Sequence, residues 1–338
     1  MSTGTSDAAP DAAAAAAVGG GSAPAADEFR QHVLEGLRPG ARKLSPKYFY
    51  DDVGARLFEE ITNLDEYYPT RVETGILEAH GDAMAAAVGR RARIVEFGSG
   101  SGDKTRLLLR RLQDPAVYVP VDIACTQLHE FAAQLRAELP SVPVEPVCAD
   151  YMQPLSLPAA GKAARTVAFF PGSTIGNLEP LQAAAFLSRI ARMAGDGGGL
   201  LLGTDMHKDT DVLERAYNDG AGVTARFNVN MLERMQRELG AQLDLSAWRH
   251  HALYDEANRR IEMRLVAGTD TSITVPAPDG PAEFRFATGE WITTEYSHKY
   301  TPDAIRDLAE RTGWAVEQAW MDERAWFAVW LLTSTGRH

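Results

Sequence analysis

The residues whose types and spacing best suit chemistry lie in Arg93-Ile-Val-Glu-Phe-Gly-Ser-Gly-Ser-Gly-Asp-Lys104. The run reads as a short buried strand, an acidic residue, a glycine-rich turn and a helix start. Glycines let backbone approach a ligand without a Cβ clash and adopt positive φ. The helix start then offers free N–H groups and the positive end of its dipole to an anion. Gly98, Gly100 and Gly102 alone are a weak signal. Glu96, two residues before Gly98, turns the reading from a dinucleotide towards S-adenosylmethionine (SAM), because a carboxylate at the strand end suits an ammonium or sulfonium. Asp122 ends the next strand-like run, where it can accept from two ribose hydroxyls. Asp150-Tyr151 follows the third, placed for the adenine amine and ring face. Lys104 either holds an anion, the methionine carboxylate being one, or is a surface lysine reaching into water.

These residues need a parallel sheet to position them, and the pattern supplies one. Strand-like runs at 94–97, 117–122, 144–148, 166–170 and 200–204 alternate with helical runs at 103–112, 125–139 and 180–193. Such alternation implies a doubly wound α/β sheet. Thr301-Pro302 opens a further helix with apolar Ile305, Leu308 and Ala309, closed by Gly313, and β-rich runs at 315–320 and 326–333 complete seven strands. Upstream, 28–37 is an amphipathic helix, and Ser45-Pro46 is expected to open one carrying Tyr48, Phe49, Tyr50, Leu57 and Phe58, stopped before Pro69. The stretch after Met206 does not fit the sheet: helical runs at 211–217 and 230–239 precede β-rich pieces at 260–267, 272–275 and 282–287.

Composition narrows the partners. Of 338 residues, 45% are hydrophobic and 24% charged, and the net charge of −12 argues against a nucleic-acid substrate. No apolar run is long enough to span a bilayer. Residues 1–27 are rich in Ala, Gly, Ser and Pro and are expected to be disordered. They lack the features of a secretory signal. The two cysteines, Cys125 and Cys148, are not metal-spaced, and their low number suggests a reducing, cytoplasmic setting. No ligand-spaced histidine set such as HExxH occurs, so no metal is expected.

Further segments stand out: Lys47-Tyr-Phe-Tyr-Asp-Asp-Val-Gly54 with Glu66-Tyr-Tyr-Pro-Thr-Arg71, Phe169-Phe-Pro-Gly-Ser-Thr-Ile-Gly-Asn177, and Thr294-Glu-Tyr-Ser297. Glu295 and Ser297 lie two apart in a β-like run, so both side chains face one way. A carboxylate beside a hydroxyl can meet both nitrogens of an imidazole; an exposed edge-strand pair is the plain alternative. With Arg215-Ala-Tyr217-Asn and Ile261-Glu-Met263, these segments resemble the histidine-specific SAM-dependent methyltransferases over residues 29–333.

That resemblance implies a class I SAM methyltransferase fold of seven strands with an inserted α+β substrate-binding domain. The expected division is 28–71, 91–205 and 298–338 for the methyltransferase domain and 72–90 with 206–297 for the substrate domain. It implies trimethylation of the α-nitrogen of L-histidine to hercynine, the first step of ergothioneine biosynthesis, with S-adenosylhomocysteine as the second product. Glu295 and Ser297 would read the imidazole, helped by Tyr67. Asn177 and Tyr217 would hold the carboxylate, and Tyr50, Asn177 and the Gly172 backbone the amine. Tyr50 and Asn177 are thereby the catalytic pair. Phe58 and Met263, ordinary core residues if taken unaided, would line the pocket. Tyr67, Gly98, Lys104, Asp122, Asp150 and Tyr151 carry over for SAM, beside Glu96 and Gly100. Small-molecule substrates, no membrane partner and a monomer are expected. A same-family enzyme for another amino acid or an indole amine, an NAD-dependent oxidoreductase and a non-catalytic scaffold are the rival readings.

Overall fold

The computed structural model describes residues 23–336 except 101, 160 and 162. Of the tail expected to be disordered, 1–22 therefore lies outside the described residues. Residues 23–27 instead form the first turns of helix α1 (Ala23–Gly36). A 3-10 turn, Pro46–Phe49, precedes α2 (Asp52–Thr62) and α3 (Tyr68–Val88). The single helix expected from Ser45 is thus two. The Ser45 side chain makes no capping bond, the backbone leaves helical geometry at Tyr50, and Asp51 restarts the helix by accepting from Gly54 N–H at 2.8 Å. Pro69 does not merely end a helix; it sits in the first turn of α3, where the missing N–H costs nothing.

Alternation follows: β1 (Ala92–Phe97), α4 (Asp103–Leu109), β2 (Val117–Asp122), α5 (Cys125–Glu138), β3 (Val147–Cys148), β4 (Arg165–Phe170), a 3-10 turn at Thr174–Asn177, α6 (Pro180–Ala194) and β5 (Gly199–Asp205). After a long excursion come α9 (Pro302–Arg311), β11 (Trp314–Met321) and β12 (Phe327–Ser334). The sheet order is β11-β12-β5-β4-β1-β2-β3; β1 to β5 run parallel, and β12 lies antiparallel between β5 and β11. This is the doubly wound seven-stranded sheet that the alternation required. Its central strands are buried on both faces, as β1 and β5 are throughout. The apolar side chains of α3, α4 and α5 cover one face and those of α6 and α9 the other.

The excursion comprises α7 (Thr210–Tyr217), α8 (Val223–Leu239), β6 (Trp248–Asp255), β7 (Arg260–Ala267), β8 (Thr271–Val275), β9 (Ala282–Phe286) and β10 (Trp291–His298). β10, β7 and β6 form an antiparallel sheet; β8 and β9 form a ribbon. Strand β6 has no counterpart in the sequence reading, because its paired histidines and charges hide the alternation.

The packing of the N-terminal helices differs from the expected division. Phe29, Val33, Leu37, Tyr48 and Phe49 join the core of the excursion, against Phe227, Met231 and Met235 of α8. Phe49 stacks on Phe227 with centroids 4.4 Å apart. Conversely, 72–88 lies on the parallel sheet, with Ile76, Leu77, Met84 and Val88 packed against Ile94 and Leu201. Each segment follows its apolar stripe, not its place in the chain.

One close approach is decisive for the site. A Cβ built on Gly203 in β5 would lie 2.2 Å from Glu73 Oε1 and 3.2 Å from the Gly172 nitrogen. The glycine makes room for a buried carboxylate on α3. Gly203→Ala should therefore lower the unfolding free energy by about 1–3 kcal/mol, read by urea denaturation; unchanged stability would show that Glu73 can move aside freely.

Candidate functional site

The site lies at the carboxyl ends of the parallel strands, where open α/β sheets take ligands. On the cofactor side, Gly98, Gly100 and Gly102 all have left-handed φ, at 75°, 52° and 74°. At Gly102 a Cβ would also lie 2.1 Å from the Phe131 ring, so no other residue fits without displacing α5. Asp122 spends one oxygen on Ala124 N–H (2.9 Å), and Asp150 one on Met152 N–H (2.8 Å). These bonds fix both carboxylates at the strand ends and leave each a second oxygen for a ligand. Tyr151 sits against Phe97, Phe170 and Phe186, and its ring edge comes within 3.9 Å of a Cβ built on Gly98. A glycine turn, an aromatic face beside it and two strand-end carboxylates fit a nucleoside cofactor.

Glu96 lies immediately behind the glycine turn. It is 1% exposed and accepts from Thr105 Oγ1 at 2.9 and 2.7 Å and from the Tyr118 hydroxyl at 2.5 Å. These contacts tie the end of β1 to α4 through Thr105 and to β2 through Tyr118. Burial pushes its carboxyl up to about 8, against the pull of Tyr118 and Thr105.

Lys104 is no surface lysine. Its ammonium pairs with the buried Glu73 at 2.5 Å. Glu73 also accepts the Gly172 N–H, at 3.0 and 2.9 Å to its two oxygens. One carboxylate thus joins Lys104, in the first turn of α4, to the turn that begins at Gly172. Sequence reading missed Glu73; the only available signal was a charged residue on the apolar stripe of α3. The Gly172 N–H is spent on it, so an incoming amine would meet the carbonyl instead.

On the substrate side, β10 carries Glu295 and Ser297, both buried, opposite Met263 and Ile261 of β7. The register shifts between Thr293 and Glu295, and from Glu295 onwards the pairing is regular, so Glu295 and Ser297 share one face. The 3-10 turn lies hard against this strand: a Cβ on Gly176 would be 2.8 Å from His298 O. That contact delivers Asn177, whose Nδ2 lies 3.4 Å from Glu295 Oε2. Tyr217 at the end of α7 reaches Ser297 Oγ at 2.9 Å. Aromatic rings close the box: Tyr50 lies edge-on to Phe58 (5.6 Å), Phe58 to Tyr67 (6.3 Å) and Tyr67 to Tyr217 (6.0 Å). Phe227, which the sequence did not single out, backs Tyr50 at 5.9 Å. Tyr50 stands deep among protein atoms yet keeps 46% of its surface accessible, as a residue lining an open cleft does. Burial, with help from Glu295, pushes the phenols of Tyr50, Tyr67 and Tyr217 well above their ordinary value, so all three stay protonated near neutrality. Glu295 itself is pushed up to about 7 by burial, with Lys299 drawing it part of the way back.

Lys299 extends the period-two series Glu295, Ser297 and was also missed, as was its partner Asp205 at the end of β5. Lys299 Nζ lies 2.7 Å from Asp205 Oδ2. Cys125, the first residue of α5, is joined in a disulfide to Cys148 of β3. This pairing removes the cysteine count as an argument for a reducing setting. Among the described residues no helix is long and apolar enough to cross a membrane.

Comparison with known proteins accords with this geometry. Residues 29–334 match the family model described as histidine-specific methyltransferase, SAM-dependent. The chain is 42% identical, over 87% of its length and 93% of the relative's, to a histidine N-alpha-methyltransferase of Mycolicibacterium smegmatis. It is 40% identical, over 89% and 93%, to that of Mycobacterium tuberculosis. An L-tryptophan methyltransferase of Psilocybe serbica is 25% identical over 89% of this chain and 91% of its own.

The bridge through Glu73 generates a test. Glu73→Gln should weaken SAM binding and lower stability by about 1.5–3 kcal/mol, the worth of a charge-assisted hydrogen bond. Calorimetry giving an unchanged SAM affinity would show that Lys104 is not aimed by Glu73.

Proposed function

We infer the function from one premise: the chain belongs to the histidine-specific, SAM-dependent methyltransferase family. We propose that it trimethylates the α-nitrogen of L-histidine to hercynine, the first step of ergothioneine biosynthesis. The observation that carries this reading is the buried Glu295–Ser297 edge, with Asn177 beside Glu295 and the Tyr50, Phe58 and Tyr67 rings forming an aromatic wall. An imidazole has two polar nitrogens, and this edge offers each a partner. An indole has one N–H and no ring acceptor, so it would leave a buried polar group unpaired at a cost of roughly 1–3 kcal/mol.

SAM supplies an electrophilic methyl group and departs as S-adenosylhomocysteine. Lys104 would hold its carboxylate, Asp122 the ribose, and Asp150 with Tyr151 the adenine; Tyr67 and the backbone at Gly98 and Gly100 would complete the cradle. The chain's own residues then have one task, which is to align a neutral amine. Asn177 suits it, since its amide N–H donates to the substrate carboxylate while its oxygen accepts from the amine. The long 3.4 Å contact to Glu295 is weak enough to yield to a substrate. Tyr50 and the Gly172 carbonyl would steer the amine. Because the Tyr50 phenol is pushed up, it acts as an orienting group and not as a base. Alignment of this kind supplies most of the acceleration once the amine is neutral; the nitrogen loses a proton to solvent after the first and after the second transfer, and the third leaves it quaternary. The open face of Tyr50 and the Phe58 and Tyr67 rings leave room for successive methyl groups, and aromatic faces attract the quaternary nitrogen formed last.

Incubation with SAM and a panel of amino acids should give trimethylated histidine by mass spectrometry. Active, SAM-binding protein that methylates tryptophan and leaves histidine untouched would refute the reading.

A pH test follows from Glu295. Its pKa is about 7, and the free histidine ring has one of about 6.5. The bound pair shares one proton. Above both values neither partner carries it, so binding takes a proton up and weakens as pH rises. Below both values each carries one, so binding releases a proton and weakens as pH falls. Hercynine isolates the effect, because its quaternary nitrogen cannot titrate. Its affinity by calorimetry from about pH 5 to about pH 9 should trace a bell. Glu295→Gln should abolish the alkaline limb, and an alkaline limb that survives it would remove Glu295 from the ring-reading role.

A further inference from the structure

Behind the ring-reading edge lies a group that the sequence motifs do not include. The Lys299 side chain is 0% exposed, and its ammonium has three partners: Asp205 Oδ2 at 2.7 Å, Ser297 Oγ at 2.8 Å and the Tyr217 hydroxyl at 3.1 Å. An ammonium has three N–H groups and no acceptor, so each contact uses one hydrogen. Asp205 is a fixed anchor: it also accepts from Lys208 at 2.5 Å and from the Tyr68 hydroxyl at 2.8 Å.

The hydrogen count has a consequence for the substrate. A hydroxyl has one hydrogen and two lone pairs. Lys299 fills one lone pair on Ser297 and one on Tyr217. A single hydrogen lies in the 2.9 Å contact between these two oxygens. One hydroxyl hydrogen and one lone pair then remain for a ligand, and they sit on different residues. If Tyr217 donates to Ser297, Ser297 offers only a hydrogen and Tyr217 only a lone pair. If Ser297 donates to Tyr217, Tyr217 offers only a hydrogen and Ser297 only a lone pair. A carboxylate is acceptor-only, so its arrival at Tyr217 selects the second arrangement and leaves Ser297 as the acceptor of a ring N–H.

We propose that Lys299, anchored by Asp205, is a positioning residue for substrate recognition: by filling one acceptor site on each hydroxyl it makes Tyr217 the donor to the amino-acid carboxylate and Ser297 the acceptor of an imidazole N–H. The proposal rests on the histidine reading. It makes the two ends of the substrate interdependent, since the carboxylate sets the polarity with which the ring is read. Glu295 faces the remaining ring nitrogen, and the shared proton lies on that side.

A double-mutant cycle on the full chain tests this. Lys299→Met keeps the stem and removes the three donors. It should lower kcat/KM for histidine at least about tenfold, mainly through KM, with SAM affinity by calorimetry unchanged. In a Ser297→Ala background the same substitution should cost no more than about threefold, because the hydroxyl pair whose polarity Lys299 sets no longer exists. Loss of similar size in both backgrounds would mark Lys299 as merely structural and overturn the proposal, as would an unchanged KM in the single variant. Lys299→Met leaves Asp205 paired with Lys208, so the remaining buried charges still balance; if it nonetheless fails to fold, Lys299→Gln, which can donate to Asp205 and to only one of the two hydroxyls, carries the cycle. Wild-type protein that methylates another amino acid and not histidine would overturn the histidine reading and this proposal together, whereas an active wild type with an additive cycle overturns Lys299 alone.

Discussion

The carboxylate of Asp205 is the constraint on which the rest of the site depends. It ends β5, where the chain leaves the parallel sheet, and every part of the cleft is tied to it. Tyr68, in the first turn of α3 and next to Tyr67, donates to both of its oxygens. Lys208 and Lys299 donate from the excursion side. Its own N–H bonds Ser173 Oγ at 2.8 Å, fixing the turn between Gly172 and Asn177. Burying a carboxylate costs several kcal/mol. Burial opposes the charge here too, but Lys299 and Lys208 outweigh it and hold the carboxyl below the ordinary aspartate range. The group therefore stays ionised, and an ionised buried group demands fixed partners. The orientation of the cleft walls follows from that demand.

Glu73 performs a matching task on the cofactor side. It faces Lys104 and the Gly172 N–H at once, through a gap that Gly203 leaves in β5. The turn from Gly172 to Asn177 is thus gripped at its start by Glu73 and in its middle, through Ser173, by Asp205. Ser173 adopts left-handed φ of 56°, a strained choice for a residue with a Cβ, and the two grips are what sustain it.

Much of this was legible in the sequence, for identifiable reasons. The parallel sheet declared itself because short apolar runs alternated with helical ones. Glu295 and Ser297 declared themselves by period-two spacing, and the structure sets both, buried, on one face of β10. Residues that act through others did not. Asp205 reads as the polar end of an apolar strand, Glu73 as a charge on a helix, and Lys299 as one more lysine. Each becomes informative only when a partner distant in sequence is brought within bonding distance. Glu96 shows the converse: the motif gives its position beside the glycine turn, but its partners Thr105 and Tyr118 are decided by packing. The break at Tyr50 was also out of reach, since Asp51 caps α2 and Phe49 is drawn onto Phe227, and neither fact is local.

The division of labour in the cleft has a further consequence. On the proposed reading, the amine end is built from Tyr50, Asn177 and the Gly172 turn, which would recognise what all α-amino acids share. The ring end is built from β10, an antiparallel strand outside the parallel sheet. Its side chains can change without disturbing the cofactor cradle, whose glycines and carboxylates sit on β1, β2 and β3. A relative that acts on tryptophan, similar over nearly the whole chain, is what such a separation permits. The separation is incomplete in this protein, because Lys299 runs from the ring-reading hydroxyl to the Asp205 anchor. A switch to an indole substrate would need more than an apolar residue at Glu295. It would also have to satisfy or remove a buried ammonium whose hydrogens are aimed at Ser297 and Tyr217, and that requirement makes the polar ring edge costly to change one residue at a time.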